Sequence, residues 1–339
     1  MSAVQDFERA FAEYVGAKYA IALCNGTATL HTALVALGVK PGDRVVVPPL
    51  TMSATTLAVL HAGAVPVFVD VDRDTWLMPP TSFFKAYVPV SLYGLHHQSG
   101  GSQGVIDDAA QTLRPHDGCA FTSYSFQASK ILALGEGGML VTNDADLAVR
   151  AREFSSLGYR MLADVPGISK AALKRPDYAR HHTLGWNYRL SEKVAEYALN
   201  PDDCSQHPHG QWNERKQGRP DCAALYRDAV AGCPWIKPQH VPDGWTHDYW
   251  AYAVALESAE LWHPFADAIE LHGGTRPFAA WRLTYREPAL RHLAEDGCCP
   301  VAESLQPRIV AGQTNDLESA KRNAAAWECA IHELNGVPA

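Results

Sequence analysis

No stretch of this 339-residue chain is apolar for the length a membrane span requires, and no two of its eight cysteines form a C-x-x-C pair. Positive charge is also scarce. Twenty-nine Lys and Arg stand against 37 Asp and Glu, for a formal charge of −8. That balance offers no cationic footprint for nucleic acid or for an anionic membrane, so neither is expected as a partner. The opening Met1-Ser2-Ala3-Val4-Gln5-Asp6 lacks the basic and apolar regions of a signal peptide. The cysteines, including the adjacent Cys298 and Cys299, are therefore expected as reduced thiols in a cytoplasmic protein. Of the fifteen histidines, six cluster at His96-His97, His181-His182 and His207-Pro208-His209. None has a carboxylate or cysteine at a spacing that closes a metal site, so no metal is expected and loop or surface positions are. His96-His97 follow an apolar strand pattern, which leaves a substrate contact as their second reading.

What is present is a large supply of apolar residues, 47% of the chain, enough for a sizeable core and two domains. Apolar spacing predicts helices near 4–15, 28–38, 52–62 and 144–157. Strands are expected near 19–24, 44–48, 65–70, 87–92, 104–107, 120–126 and 138–142. Alternation of the two implies an α/β architecture, a mainly parallel sheet with helices on both faces. The Pro-, Asn- and His-rich stretch 200–218 reads as a linker, dividing a large domain (1–205) from a smaller α+β domain (206–339). In the latter, 250–256 alternates as a strand and 316–334 reads as an amphipathic helix. The connection from about residue 93 to 105 is short for a parallel crossover, which normally takes a dozen residues or more and a helix.

Three motifs carry chemistry. Ser125-Phe126-Gln127-Ala128-Ser129-Lys130, followed by Gly135-Glu136-Gly137-Gly138, places a lysine just beyond a strand and before a glycine-rich turn. A Schiff-base lysine needs a fixed backbone and a partly desolvated amine that can lose its proton. Val105-Ile106-Asp107-Asp108-Ala109-Ala110-Gln111 reads as a buried strand ending in carboxylates, with small residues beside them. A carboxylate there suits the ring nitrogen of pyridoxal phosphate, and the same pair fits equally a helix N-cap. Ile21 to Cys24, the turn Asn25-Gly26-Thr27 and a helix from Ala28 form a strand, turn and helix N-terminus that can cradle a phosphate.

Taken in order with Pro41-Gly42-Asp43-Arg44, Val65 to Asp72 and Gly185-Trp186-Asn187-Tyr188-Arg189, these motifs resemble the DegT/StrS family of sugar aminotransferases. The resemblance implies a fold-type I enzyme that uses pyridoxal 5′-phosphate and cycles through pyridoxamine phosphate. It implies Lys130 as the Schiff-base lysine and proton carrier, Asp108 at the ring nitrogen and Gln111 at the ring hydroxyl. Gly26, Thr27, Ala28 and Ser125 would hold the phosphate. Asn187 would reach the phosphate of a partner subunit, making a homodimer with shared sites. The implied reaction moves an amino group from glutamate or glutamine to a keto-sugar, nucleotide-linked by preference. The runner-up is a sugar dehydratase on the same fold, in which histidine usually replaces the lysine, followed by a non-catalytic binding or regulatory relative.

Two departures stand out. Met52 occupies the place where the family usually stacks an aromatic on the ring, and a thioether can pack there instead. The family usually has an N-terminal arm before the first helix that helps line the sugar site, whereas Phe7 here already belongs to the first helix pattern. For an anionic substrate the candidates are Arg189, Arg276 and Arg282, with Trp281 or Tyr285 as stacking surfaces.

Overall fold

The computed structural model describes residues 2–81, 85–98, 102–159, 175–200 and 208–335. Helix α1 (Ala3–Val15) starts at a capping box of Ser2 and Gln5 and stops at Gly16, whose φ of 71° turns the chain out of the helix. Seven strands follow before residue 145: β1 (Tyr19–Leu23), β2 (Arg44–Val47), β3 (Val65–Phe68), β4 (Ala86–Tyr87), β5 (Ile106–Asp108), β6 (Phe121–Ser125) and β7 (Gly138–Thr142). They pair in the orders β1-β7-β6-β5 and β3-β2-β4. Parallel bridges Tyr87–Val105 and Val90–Asp108 join the two sets along one edge. All the pairings are parallel except those of β7, which runs against both β1 and β6. The expected mainly parallel sheet is present, with this one reversal.

Strand alternation explains why both faces are covered. On one face, Ile21, Leu23, Ile106, Phe121 and Leu140 pack with α2 (Gly26–Ala36), α3 (Ala54–His61) and α4 (Ala145–Ser155). On the other, Ala20, Ala22, Tyr124, Phe126, Met139 and Val141 meet Phe7 and Phe11 of α1, α5 (Glu192–Leu199) and Trp212. Phe11 lies edge-on to Tyr124 and Phe126 at 5.0 and 5.3 Å. Such pairs add about 0.5–1.5 kcal/mol each beyond their buried area.

A second, antiparallel sheet has the order β10-β11-β9-β8, from β8 (Ile236–Pro238), β9 (Ala251–Leu256), β10 (Phe278–Ala279) and β11 (Ile309–Gln313). It packs against α6 (Pro208–Ala229), α7 (Trp262–Leu271) and α9 (Leu317–Asn335), while the short α8 (Pro300–Leu305) precedes β11. The expected strand at 250–256 and helix at 316–334 are both there. The linker reading of 200–218 needs correction, because α6 already begins at Pro208. Residues 201–207, which include His207, lie outside the described residues.

The strand expected at 87–92 is also corrected. It stops after Tyr87, and a 3-10 turn at Leu92–Gly94 follows, with Tyr93 at φ 58°. Among the described residues, the crossover from β4 to β5 contains this turn and no α-helix. Its backbone groups find partners in a distant segment instead. The His96 N–H donates to the Thr246 carbonyl (2.9 Å), and the Asp248 N–H donates to Gly94 (2.8 Å). A Cβ at Gly94, where φ is 107°, would stand 2.7 Å from the backbone nitrogens of both Tyr249 and Trp250. His96 and His97 are accordingly buried rather than surface residues. His96 Nε2 lies 3.0 Å from Asp248, whose other oxygen takes Lys216 at 2.9 Å.

Candidate active site

In a parallel sheet, ligands gather at the carboxyl ends of the strands. That edge here holds the residues after β1 (Asn25, Gly26, Thr27), after β2 (Thr51, Met52), beyond β4 (Val90), at the end of β5 (Asp108) and at the end of β6 (Ser125). All line a cavity of about 270 Å3, together with Thr55, Gln111 and Lys130.

The carboxylate of Asp108 is buried and accepts from the Thr55 hydroxyl at 2.8 Å and the Ala110 N–H at 3.2 Å. Burial pushes it above the usual carboxylate range, against those hydrogen bonds and the charge of Lys130. Lys130 lines the same cavity. Its backbone N–H turns back to Gln127 (2.8 Å), and its Nζ sits 4.8 Å from the centre of the Trp250 ring. Burial lowers its pKa, with Asp108 pulling the other way. The result is an amine that gives up its proton more readily than a solvated lysine. Gln111 accepts the Tyr93 N–H through Oε1 at 2.6 Å. That bond fixes the amide's orientation, so its nitrogen, a donor, is the group left for the cavity.

Helix α2 begins at the cavity wall. Asn25 caps it by accepting the Ala28 N–H at 2.8 Å, so Ala28 is committed and does not line the cavity. The Gly26 and Thr27 amides belong to the first turn, which has no intrahelical acceptors, and they face an anion site of helix-dipole type. Ser125 stands so close that a Cβ on Gly26 would meet its Cβ at 2.9 Å. This contact excludes any larger residue at position 26. Met52 is 45% exposed at the rim, with its sulfur accepting the Ala54 N–H at 3.1 Å.

Other candidates lie elsewhere. Asn187 is exposed on a segment held along the end of β1 by the bridge Leu23–Arg189 and by Cys24 donating to Tyr188 (2.7 Å). Arg189 borders a separate crevice with Arg152 and Glu192. Arg276 is tied to Asp267 (2.7 Å) and Glu270 and lies over Trp262, and neither it nor the exposed Arg282 lines the cavity. Tyr285 is a core residue bonded to Glu303 at 2.6 Å, which corrects its reading as a stacking surface. Trp281 does stack, on Trp250, at 5.8 Å and 17°.

Thr55 and Trp250 were not singled out as site residues in the sequence. Nothing near Trp250 in the chain points to Lys130, and only the packing of 246–250 against the crossover brings it there. His116, Asp117 and Cys119 also converge, with ligand atoms within 4.8 Å of one another. They are committed to protein partners: His116 to Thr122 (2.9 Å), Asp117 to Arg114 (3.1 Å) and the Cys119 thiol to the Phe121 carbonyl (3.0 Å).

A desolvated lysine facing a buried carboxylate, beside an anion-receiving helix start, fits pyridoxal phosphate. The fold is that of solved aminotransferases. The chain belongs to the DegT/DnrJ/EryC1/StrS aminotransferase family, whose model matches residues 2–100 and 104–316. The break in the match falls inside the shortened crossover. Over 299 residues the chain is 33% identical to GDP-perosamine synthase of Caulobacter vibrioides, covering 72% of this chain and 79% of that one. Over 281 residues it is 34% identical to the spore coat polysaccharide biosynthesis protein SpsC of Bacillus subtilis (75% and 68%). Among solved structures, 3-amino-5-hydroxybenzoic acid synthase superposes with a TM-score of 0.80 at 25% identity, over 98% of this chain and 91% of that one. NtdA of Bacillus subtilis, which carries the cofactor PMP, shares the fold with a TM-score of 0.80 at 20% identity (98% and 78%). No described helix is long and apolar enough to cross a membrane.

Proposed function

We propose that this enzyme transfers an amino group from glutamate or glutamine to a nucleotide-linked keto-sugar, using pyridoxal phosphate that cycles through pyridoxamine phosphate. The observation that carries the reading is Lys130, its pKa lowered by burial, lining one cavity with Asp108, whose charge acts on it. When bound, the cofactor supplies an electrophilic carbonyl and a ring able to accept the electron pair left by a departing α-proton. Lys130 offers a neutral amine to attach to it and to carry that proton. Asp108, held by Thr55 and Ala110, sets a negative charge where the ring nitrogen needs its proton kept. The Gln111 amide nitrogen donates to a ring oxygen, and the Gly26 and Thr27 amides with the Ser125 hydroxyl receive the phosphate. A lysine rather than a histidine at position 130 weighs against the dehydratase reading. The names of the relatives, a GDP-perosamine synthase and a polysaccharide biosynthesis protein, support a nucleotide-linked sugar.

The same reading includes a cytoplasmic homodimer with sites shared through Asn187. It is supported by the exposed apolar residues beside Asn187, Leu184 at 96% and Trp186 at 55%. A division of the chain at about residue 205 belongs to it too, supported by the two sheets falling on either side of that point.

Lys130→Ala is the test. Borohydride treatment should leave the cofactor's mass on the Lys130 peptide of the native protein only, and amine formation should fall by about 10²- to 10⁴-fold in the variant. Full transamination by the variant would end this reading. A panel of free and nucleotide-linked keto-sugars decides the substrate class, and turnover of the free sugars alone would remove the nucleotide.

A further inference from the structure

A second cavity, of about 280 Å3, adjoins the first, lined by Ser129 and Trp250 where the first is lined by Lys130. Its walls are largely aromatic. Trp250 and Trp281 stack there, Tyr93 lies 6.4 Å from Trp250 at 19°, and Phe278 is exposed at its edge. The Trp250 indole N–H donates to the Ser129 carbonyl at 2.7 Å, which ties this wall to the turn that carries Lys130.

Into this apolar space comes a single charged side chain, Arg219 of α6, only 5% exposed. Its partners are all neutral: the Arg215 carbonyl (3.2 Å), the Trp250 carbonyl (3.1 Å) and the Thr314 hydroxyl (3.2 Å). Asp248, a carboxylate whose field reaches it, is already held by His96 and Lys216. Burial lowers the guanidinium to about 10, which still leaves it charged at neutral pH. A buried charge without a counter-ion is costly, and the other buried arginine among the described residues has one: Arg114 is paired with Asp107 and Asp117. Arg219 thus brings to a largely aromatic cavity one positive charge that no carboxylate among the described residues pairs within 4 Å. Among the described residues no second cation lines that cavity, which suits a monovalent carboxylate better than a diphosphate. The amides of Gln313 and Asn315 add neutral hydrogen-bonding groups to its wall.

We propose that this cavity receives a carboxylate of the amino-acid donor, with Arg219 as its cation and the Trp250–Trp281 pair as the wall that excludes water. The inference rests on the transamination reading for the identity of the ligand. It adds a specificity determinant outside the cofactor cavity.

The test uses the cofactor-loaded protein and glutarate, a dicarboxylate with no amino group to transfer, followed by calorimetry and tryptophan fluorescence. Arg219→Gln should weaken glutarate by about 10- to 100-fold, the usual effect of losing a charged hydrogen bond. Gln313→Glu leaves the bonds of Arg219 to Trp250 and Thr314 in place but supplies an internal carboxylate, and it should weaken glutarate in the same direction. If Arg219→Gln does not fold, Gln313→Glu decides alone. Glutamate is then compared with its two mono-amides, glutamine and isoglutamine. The native protein should disfavour one of them, which identifies the carboxylate bound, and Arg219→Gln should lose that preference. Unchanged glutarate affinity in the variants, or a loss confined to the keto-sugar, would overturn the proposal. Arg219-dependent glutarate binding in a protein whose cofactor responds to no amino donor would instead sink the transamination reading and leave the anion site standing.

Discussion

Asp107 and Asp108 are neighbours on β5, yet strand alternation sends them to opposite sides of the sheet and to opposite kinds of work. Asp107 points into a closed polar cluster. Arg114 reaches it at 3.0 Å and also holds Asp117, and the Ser91 hydroxyl lies 3.5 Å away. Asp108 points to the cavity, where its partners are a hydroxyl and an amide, and among the described residues no cation stands within 4 Å of it. The first carboxylate is neutralised by its own chain. The second is kept hydrogen-bonded but short of countercharge, so a bound group with a positive nitrogen can supply it. Completeness of pairing, rather than burial, separates the supporting charge from the chemical one.

Asp107→Asn should break this comparison most strongly on the side of stability. It removes one of the two carboxylates that hold Arg114, which keeps Asp117 at 3.1 Å, at an expected cost of about 1.5–3 kcal/mol in chemical denaturation, with turnover per folded molecule retained. Asp108→Asn should do the reverse. Its shape and the Thr55 contact survive, so stability should move by less than about 1 kcal/mol, while amine formation falls roughly a hundredfold. If Asp107→Asn lost activity and kept stability, the assignment of the two carboxylates would be exchanged.

A smaller effect concerns Asp248. Burial raises its pKa, but the hydrogen bond and charge of His96 and the charge of Lys216 more than reverse that, bringing it down to about 2. A carboxylate held below its ordinary value of 3.8 contributes stability at higher pH and loses it as pH falls from about 4 through about 2. Urea unfolding at pH 6 and at the acid end of that window should show the native protein losing about 2 kcal/mol more than Asp248→Asn. Equal losses would mean that the His96–Asp248–Lys216 cluster does not brace the crossover.

Much of this was legible in the chain because the relevant signals are local. Lys130, Asp108, Gln111, Ser125 and the Asn25-Gly26-Thr27 turn each sit at the end of a strand that its own apolar pattern marks. The parallel sheet brings those ends to one edge. The reversed direction of β7 left no mark in its sequence, since a buried strand reads alike in either sense. Thr55, Trp250 and Arg219 were hidden for another reason. Their roles come from contacts with residues far away in the chain, and nothing in their own neighbourhoods differs from ordinary helix or strand. The linker expected at 200–218 failed because helix α6 tolerates Pro208 at its start, and it even takes Pro220, beyond that stretch, inside it. Composition alone weighs those prolines as breakers.

The crossover from β4 to β5 has one more consequence. A helix in that position would shield the sheet with atoms from its own half of the chain. Here Gly94 and His96 borrow their cover from residues 246–250, which also deliver Trp250 to Lys130. The two halves are therefore not interchangeable parts. A graft that brought in a foreign C-terminal half would uncover the crossover and strip the lysine of its aromatic neighbour in one step. Variation in the C-terminal half of this enzyme is thus confined to changes that leave the 246–250 clasp intact.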